Sequence, residues 1–274
     1  MAEGPLIRLI CDEISGAMKG ETIQDVFTRS KQASRSPGLK SVVGSILVKV
    51  DHMGKNIILK LSNGYSFRIH LMMFGRCEVY QRGEKHRGQA ERIRLSLKTS
   101  KHELVVFSAP VVQLLGKEEL AHHPVLSTLG PDAMTQPFES KLFLTNLRKP
   151  ESSSRSIGET LLDQRVVSGV GNIYKSEILF LARINPETSV SSLIDLQVKS
   201  VAHLTPKVLH EAYSKMKRGQ RVGFKVYGRS GRTCIRCGST ISSFRQMPSN
   251  RITYFCPNCQ GGPSILSVSS RYSS

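Results

Sequence analysis

The chain has 274 residues, with 39 Lys+Arg against 21 Asp+Glu and a formal net charge of +18. The excess is spread along the sequence rather than gathered in one tail, which predicts a folded basic surface for a polyanion, nucleic acid first and an anionic membrane surface second. No apolar run approaches the roughly 20 residues that span a bilayer and no secretory signal opens the chain, so neither a spanning nor an exported protein is expected.

Leu6, Ile10, Ile14 and Met18, with Ile7 and Leu9 nearby, recur at helical spacing and predict an amphipathic helix over 5–19 that ends at Gly20. From about 43 to 108 the period changes. Ile46-Val48-Val50, Ile57-Leu59-Leu61, Phe67-Ile69-Leu71, Ile93-Leu95-Leu97 and 104–107 read as half-buried strands of an antiparallel sandwich. Turns such as Asn63-Gly64 favour hairpins over βαβ crossovers. The stretch 122–137, with Gly130-Pro131-Asp132, reads as a hinge into a helical zone with helices over 138–147, 156–162, 172–182 and 196–216. The Ser-rich tail 263–274 reads as disordered.

Two motifs in the second half point to chemistry. Ser168-Gly-Val-Gly-Asn-Ile-Tyr-Lys-Ser-Glu177 puts Gly169 and Gly171 in a tight turn before a helix starting near Asn172. Such an N-terminus offers free N–H groups and a positive dipole end to a phosphate, although most Gly-x-Gly turns merely connect helices. Cys234-x2-Cys237 and Cys256-x2-Cys259 can close a tetrahedral thiolate shell around one zinc ion and fix a small basic hairpin that carries Arg245 and Arg251. A rubredoxin-like iron site and a purely structural knuckle share this spacing. Cys11 and Cys77 are the only other cysteines, and a reducing cytosol suits such a set.

These motifs, taken together, resemble the formamidopyrimidine-DNA glycosylase / endonuclease VIII family. That family opens with Pro-Glu-Gly-Pro after Met, matched by Ala2-Glu3-Gly4-Pro5. Its Gly-Lys at a strand start is matched by Gly54-Lys55, and its His with a wedge loop by 70–75. Its helix–two-turns–helix motif is similar to 169–174 and its zinc finger to 234–259. The resemblance covers residues 1 to about 260 in order and implies an α+β multidomain fold. An N-terminal helix and antiparallel β-sandwich would form a catalytic domain over 1–131. A helix–two-turns–helix DNA-binding domain would follow over 132–226, then a zinc-finger β-hairpin over 227–262.

The implied activity is that of a bifunctional DNA glycosylase and AP lyase of base-excision repair. The nucleophile is the N-terminal amine, whose ordinary pKa of roughly 7.7–8 leaves part of it neutral near pH 7. By resemblance, Ala2 would attack C1′ and expel the base, and a Schiff base would then permit β- and δ-elimination. Glu3 would act as general acid/base and Lys55 would contact a phosphate. Taken alone, Glu3 is an acid in a first helical turn and Lys55 a solvated lysine. Ala2 departs from the family proline and presents a primary amine once Met1 is removed; Leu6 replaces a common acidic residue.

A base inside a duplex must be flipped out and its gap filled. Met72-Met73-Phe74 after His70 suit a wedge, although such an apolar run more often packs a core. The purine branch takes an Arg and a Phe from a later segment, here Ser108-Ala-Pro-Val-Val-Gln113 with neither, and the loop over 217–223 before Phe224-Lys225-Val226-Tyr227 is short. Both features resemble endonuclease VIII and oxidised pyrimidines; 8-oxoguanine or ring-opened purines are the alternative substrates. Lys55, His70, Asn172 and Arg251 match the family's phosphate-pinching positions.

The expected partner is damaged double-stranded DNA rather than a membrane, the expected metal one structural zinc ion, and the expected state a monomer, cytoplasmic and nucleoid-associated if the source is a prokaryote. A lesion-binding relative with catalysis lost through Ala2, and a zinc-ribbon protein acting on RNA, are the readings from other classes.

Overall fold

Helix α1 (Gly4–Met18) is nearly the helix expected from its periodicity. Pro5 sits in its first turn, where a missing N–H costs nothing, and Ile7, Ile10, Cys11, Ile14 and Met18 form its buried face. The structure is a computed structural model that describes residues 2–261. The tail expected to be disordered lies outside those residues.

The first unit, Met1–Leu129, is a sandwich with helical turns at its edges. Strands β1 (Asp25–Thr28), β2 (Leu47–Met53), β3 (Asn56–Leu61), β4 (Ser66–His70), β5 (Arg76–Gln81), β6 (Ile93–Lys98), β7 (His102–Phe107) and β8 (Val111–Leu115) form two four-stranded antiparallel sheets. Their orders are β1-β6-β7-β5 and β2-β3-β4-β8. The inward rows, Leu59, Phe67 and Ile69 on one sheet and Leu95, Leu104 and Val106 on the other, share one core with α1. Short helices α2 (Lys31–Ser34) and α3 (Lys117–Ala121) complete the unit.

The expected Ile46-Val48-Val50 strand exists, but only Val50 packs against the core. Ile46 and Val48 are 40% and 49% exposed, and Leu47 enters the core instead. A register shift between Leu47 and Lys49 marks a bulge, and one extra residue exchanges the faces of a period-two strand. Strands β1, β5 and β8 were not expected. Their sequences DVFT, RCEVYQ and VVQLL are too short or too polar for a clear alternation.

The second unit is Gly130–Ser274, and its described residues are mostly helical. It contains α4 (Ser140–Leu147), α5 (Pro150–Ser153), α6 (Ile157–Thr160), α7 (Asn172–Ala182) and α8 (Asp195–Lys217). Helix α6 is shorter than the expected 156–162 and is capped by Ser156, whose Oγ accepts from Glu159 N at 3.2 Å. Phe143, Ile157, Val167, Ile178, Val201 and Leu209 are the fully buried centre. Strands β9 (Ser242–Gln246) and β10 (Arg251–Phe255) pair as a hairpin, Arg251 opposite Gln246, and α9 (Pro257–Gln260) follows. No helix among the described residues is long and apolar enough to cross a membrane.

Candidate nucleic-acid interface and metal centre

In the first unit the chain start and the loop after β4 meet. Ala2 N donates to the Met72 carbonyl at 3.5 Å, Ala2 is buried, and Glu3 beside it is 2% exposed. Glu3 is the N-cap of α1, and its carbonyl accepts from Ile7 N at 3.0 Å. The loop itself stands out from the protein. Met72 and Met73 are about half exposed and Phe74 is 80% exposed, so the three side chains are not core.

The loop's shape is enforced locally. Met72 adopts φ +52°, a left-handed conformation that costs a residue with a side chain about 1–2 kcal/mol. Two hydrogen bonds oppose that cost, Met72 N to His70 Nδ1 at 3.2 Å and Gly75 N to Leu71 O at 2.8 Å. A Cβ at residue 75 would lie 2.5 Å from the Leu71 carbonyl oxygen, so the turn accepts only glycine there.

Lys55 lies in the two-residue turn between β2 and β3, and Asn56 next to it pairs with His70 across the β3–β4 ladder. Lys55 and His70 therefore share one end of the sheet. Burial, and then the charges of Arg68 and Lys55, push the His70 imidazole down to about 4. Its Nδ1 accepts from Met72 N, so the neutral ring carries its proton on Nε2 and offers that N–H as a donor.

In the second unit Gly169 has φ +87° and α7 begins at Asn172, the tight turn and helix start that the motif predicts. Asn172 is brought to the hairpin strand that carries Arg251: its Nδ2 donates to the Ile252 carbonyl at 2.8 Å. Its Oδ1 accepts from Lys175 Nζ at 2.9 Å. Lys175 is fully buried and also donates to Thr253 Oγ1 at 2.6 Å and Gln246 Oε1 at 3.1 Å.

Two residues on, the carboxylate of Glu177 accepts from the backbone N–H groups of Lys225, Val226 and Tyr227 at 2.8, 2.9 and 3.0 Å. The sequence reading assigned no role to Lys175, Glu177 or Gln246. A signal was present, since Lys175 and Glu177 are the charged residues immediately before the apolar run 178–182, where an unpaired charge would be costly.

The four cysteines of the second unit converge as their spacing predicts. Their sulfurs all lie within 4.8 Å of one another. Cys237 and Cys256 Sγ are 3.5 Å apart and Cys234 and Cys259 Sγ 3.9 Å apart. A tetrahedron of thiolates about 2.3 Å from one ion has edges near 3.8 Å, so this donor set fits a single metal ion. Arg236, inside the first Cys pair, donates to the Phe180 carbonyl at 3.0 Å and lies 4.3 Å over the Phe180 ring. The cysteine cluster is thereby held to the end of α7.

Comparison with known proteins follows the same division. The N-terminal domain of formamidopyrimidine-DNA glycosylase matches residues 1–110, and its H2TH domain matches residues 129–222. The chain belongs to the formamidopyrimidine-DNA glycosylase / endonuclease VIII family. Within the family it is similar to Endonuclease 8 of Salmonella arizonae, 28% identical over 95% of this chain and 100% of the relative. Endonuclease 8 of Salmonella paratyphi A is 29% identical over the same shares. Lactococcus lactis Fpg, solved in complex with DNA containing an abasic site, has the same fold, with a TM-score of 0.82 and 24% identity over 94% of this chain and 99% of that one. Members of this family are DNA glycosylase/AP lyases, and the chain is an enzyme of that class.

Proposed function

We propose that this enzyme excises oxidised pyrimidines from damaged duplex DNA with the amine of Ala2, freed by removal of Met1, as nucleophile. The observation that carries the reading is the 3.5 Å contact between Ala2 N and the Met72 carbonyl, which puts the Ala2 nitrogen beside the exposed side chains of Met72, Met73 and Phe74. A wedge that fills the stack and an amine that meets the extruded sugar have to be neighbours.

The neutral amine nitrogen attacks C1′, the C1′–N bond to the base breaks, and the base leaves with the bonding pair. Loss of a proton from nitrogen and opening of the C1′–O4′ bond give the Schiff base, with Glu3 protonating O4′ as it leaves. Deprotonation at C2′ then expels the 3′ phosphate, and the further elimination expels the 5′ phosphate. Lys55 and the Nε2–H of His70 hold phosphates on the first unit, and Asn172 at the start of α7 and Arg251 hold them on the second.

The preference for pyrimidines rests on two connections. Ser108, Ala109 and Pro110 alone join β7 to β8, with no protruding loop to supply an Arg and a Phe wedge. Only 218–223 separate the end of α8 from Phe224, too little chain for a cover over an oxidised purine. Cys234, Cys237, Cys256 and Cys259 would hold one zinc ion, which supplies structure rather than chemistry by fixing the hairpin that bears Arg251.

Borohydride trapping on duplexes carrying thymine glycol, 8-oxoguanine or a bare abasic site tests the reading, with the N-terminus confirmed as Ala2. Trapping on thymine glycol and on the abasic site is expected. Trapping on 8-oxoguanine in preference would overturn the substrate, trapping on the abasic site alone would leave only the lyase, and no trapping at all would overturn the nucleophile.

A further inference from the structure

Arg68 on β4 is 6% exposed, and every hydrogen bond it makes goes to a neutral group. Its Nε donates to Asn56 Oδ1 at 3.0 Å and its Nη1 to Gln113 Oε1 at 2.6 Å. The Asn56 amide is oriented for this by donating its Nδ2 to the Met53 carbonyl at 2.8 Å. Nη1 also lies 3.3 Å from His123 Nε2. His123 Nδ1 accepts from the backbone N–H groups of Val125 and Leu126, so its Nε2 carries the proton and donates to Gln113 Oε1 at 3.2 Å. Among the described residues no carboxylate pairs with Arg68, and its Nη2 has no hydrogen-bond partner.

A guanidinium cannot relieve burial by losing its proton. Where a buried arginine is structural, a carboxylate normally compensates it, and removal from water without one costs several kcal/mol. Asn56, Gln113 and the donor His123 provide oxygens and a dipole but no negative charge. The position of the charge is informative. Arg68 and His70 are two residues apart on one strand and therefore share a sheet face, and Asn56, which holds Arg68, directly follows Lys55. Lys55, Arg68 and His70 thus lie toward one end of β3–β4, and it is the Arg68 charge that meets no carboxylate.

We propose that Arg68 is the third basic member of a phosphodiester site with Lys55 and His70, its charge left unpaired in the free protein and balanced by a DNA phosphate on binding. Arg68 lies behind the two contact residues, presenting Nη2 and a fixed positive potential to the phosphate, while Asn56 and Gln113 hold its fork in place. The inference rests on the reading of Lys55 and His70 as phosphate contacts.

The test is the salt dependence of binding to an abasic-site duplex, measured by fluorescence anisotropy for the wild type, Arg68→Gln, Arg68→Lys and Lys55→Met. Each neutralised phosphate contributes about −0.9 to the log–log slope. Arg68→Gln and Lys55→Met are each expected to lose about one unit of slope. Between about 50 and about 200 mM salt, each then loses roughly three-fold less affinity than the wild type does. Arg68→Lys is expected to keep the wild-type slope.

A wild-type slope in folded Arg68→Gln, with the slope of Lys55→Met reduced, overturns the role of Arg68 alone. Wild-type slopes in both overturn the phosphate reading of Lys55 and His70 and the inference with it. If Arg68→Gln does not fold, the nitrogen-15 resonance of Arg68 Nε in the wild type, assigned by its absence from Arg68→Lys, decides. It is expected to shift on adding the duplex, and an unmoved signal overturns the proposal.

Discussion

Lys175 Nζ lies 2.6 Å from Thr253 Oγ1, so a fully buried ammonium on α7 is bound directly to the second strand of the hairpin. Replacing Lys175 by Met removes the charge but leaves Asn172 Oδ1 without its donor, while Thr253 and Gln246 keep their 2.9 Å bond to each other. One stranded acceptor and two weakened ones should cost roughly 3 kcal/mol. Urea unfolding of Lys175→Met measures this; a loss below about 1 kcal/mol would mean that the network relaxes around the gap.

Phe74 has almost nothing to lose in stability. At 80% exposure its removal should leave unfolding unchanged within about 0.5 kcal/mol. Phe74→Ala should nevertheless slow base excision from a duplex by ten-fold or more, on the order of the few kcal/mol that unstacking a step demands. Strand cleavage at a preformed abasic site should be affected much less. Equal losses on the two substrates would remove the wedge from the account.

Metal removal should act on one region. Chelation at neutral pH is expected to release one zinc ion per chain, read by mass spectrometry, and to disorder 234–259 while the sandwich stays folded. Binding to an abasic-site duplex should fall with the metal, and Arg251→Ala should weaken it without unfolding the protein. Full binding by the metal-free protein contradicts the role given to the hairpin.

The His70 imidazole, held down to about 4 by burial and by Arg68 and Lys55, makes stability depend on pH in a definite direction. The folded state disfavours the protonated ring, so above the ordinary value of 6.5 there is no penalty. Between about 6.5 and about 4 the unfolded chain takes up a proton that the folded one refuses, and stability falls as pH falls. Below about 4 both states are protonated and this contribution is flat. Urea midpoints of the wild type and His70→Asn across that window should converge toward acid pH. Parallel curves would show that the ring titrates normally.

How much of this was legible in the sequence depended on how local the signal was. Helix α7 came out at its true boundaries because Gly169, Gly171 and Asn172 mark its start and an unbroken run from Ile178 to Ala182 carries it on. The cysteine cluster was equally plain, since spacing alone brings four thiols together. Strand β2 misled because alternation fixes a period but not which face is inside, and the bulge at Leu47 lies in the pairing rather than in the composition. Met72, Met73 and Phe74 form a run that more often packs a core, and only their exposure decides against that. The charges of Lys175 and Glu177 were visible in the sequence, but their partners, like the Gln113 partner of Arg68, were hidden because they lie far along the chain, at Thr253 and 225–227. A long-range polar pair leaves no periodic trace.

The carboxylate of Glu177 grips the chain at 225–227, and Asn172 grips it again at Ile252. The segment between those points is therefore pinned at both ends to a single helix. In hydrogen-exchange terms the amides of Lys225, Val226, Tyr227 and the interior of α7 should open together, as one foldon with one free energy, while the tip at 247–250 exchanges ahead of them. The cysteine-bearing hairpin is then an outgrowth of that helix rather than a detachable module, and grafting it elsewhere would require taking α7 along.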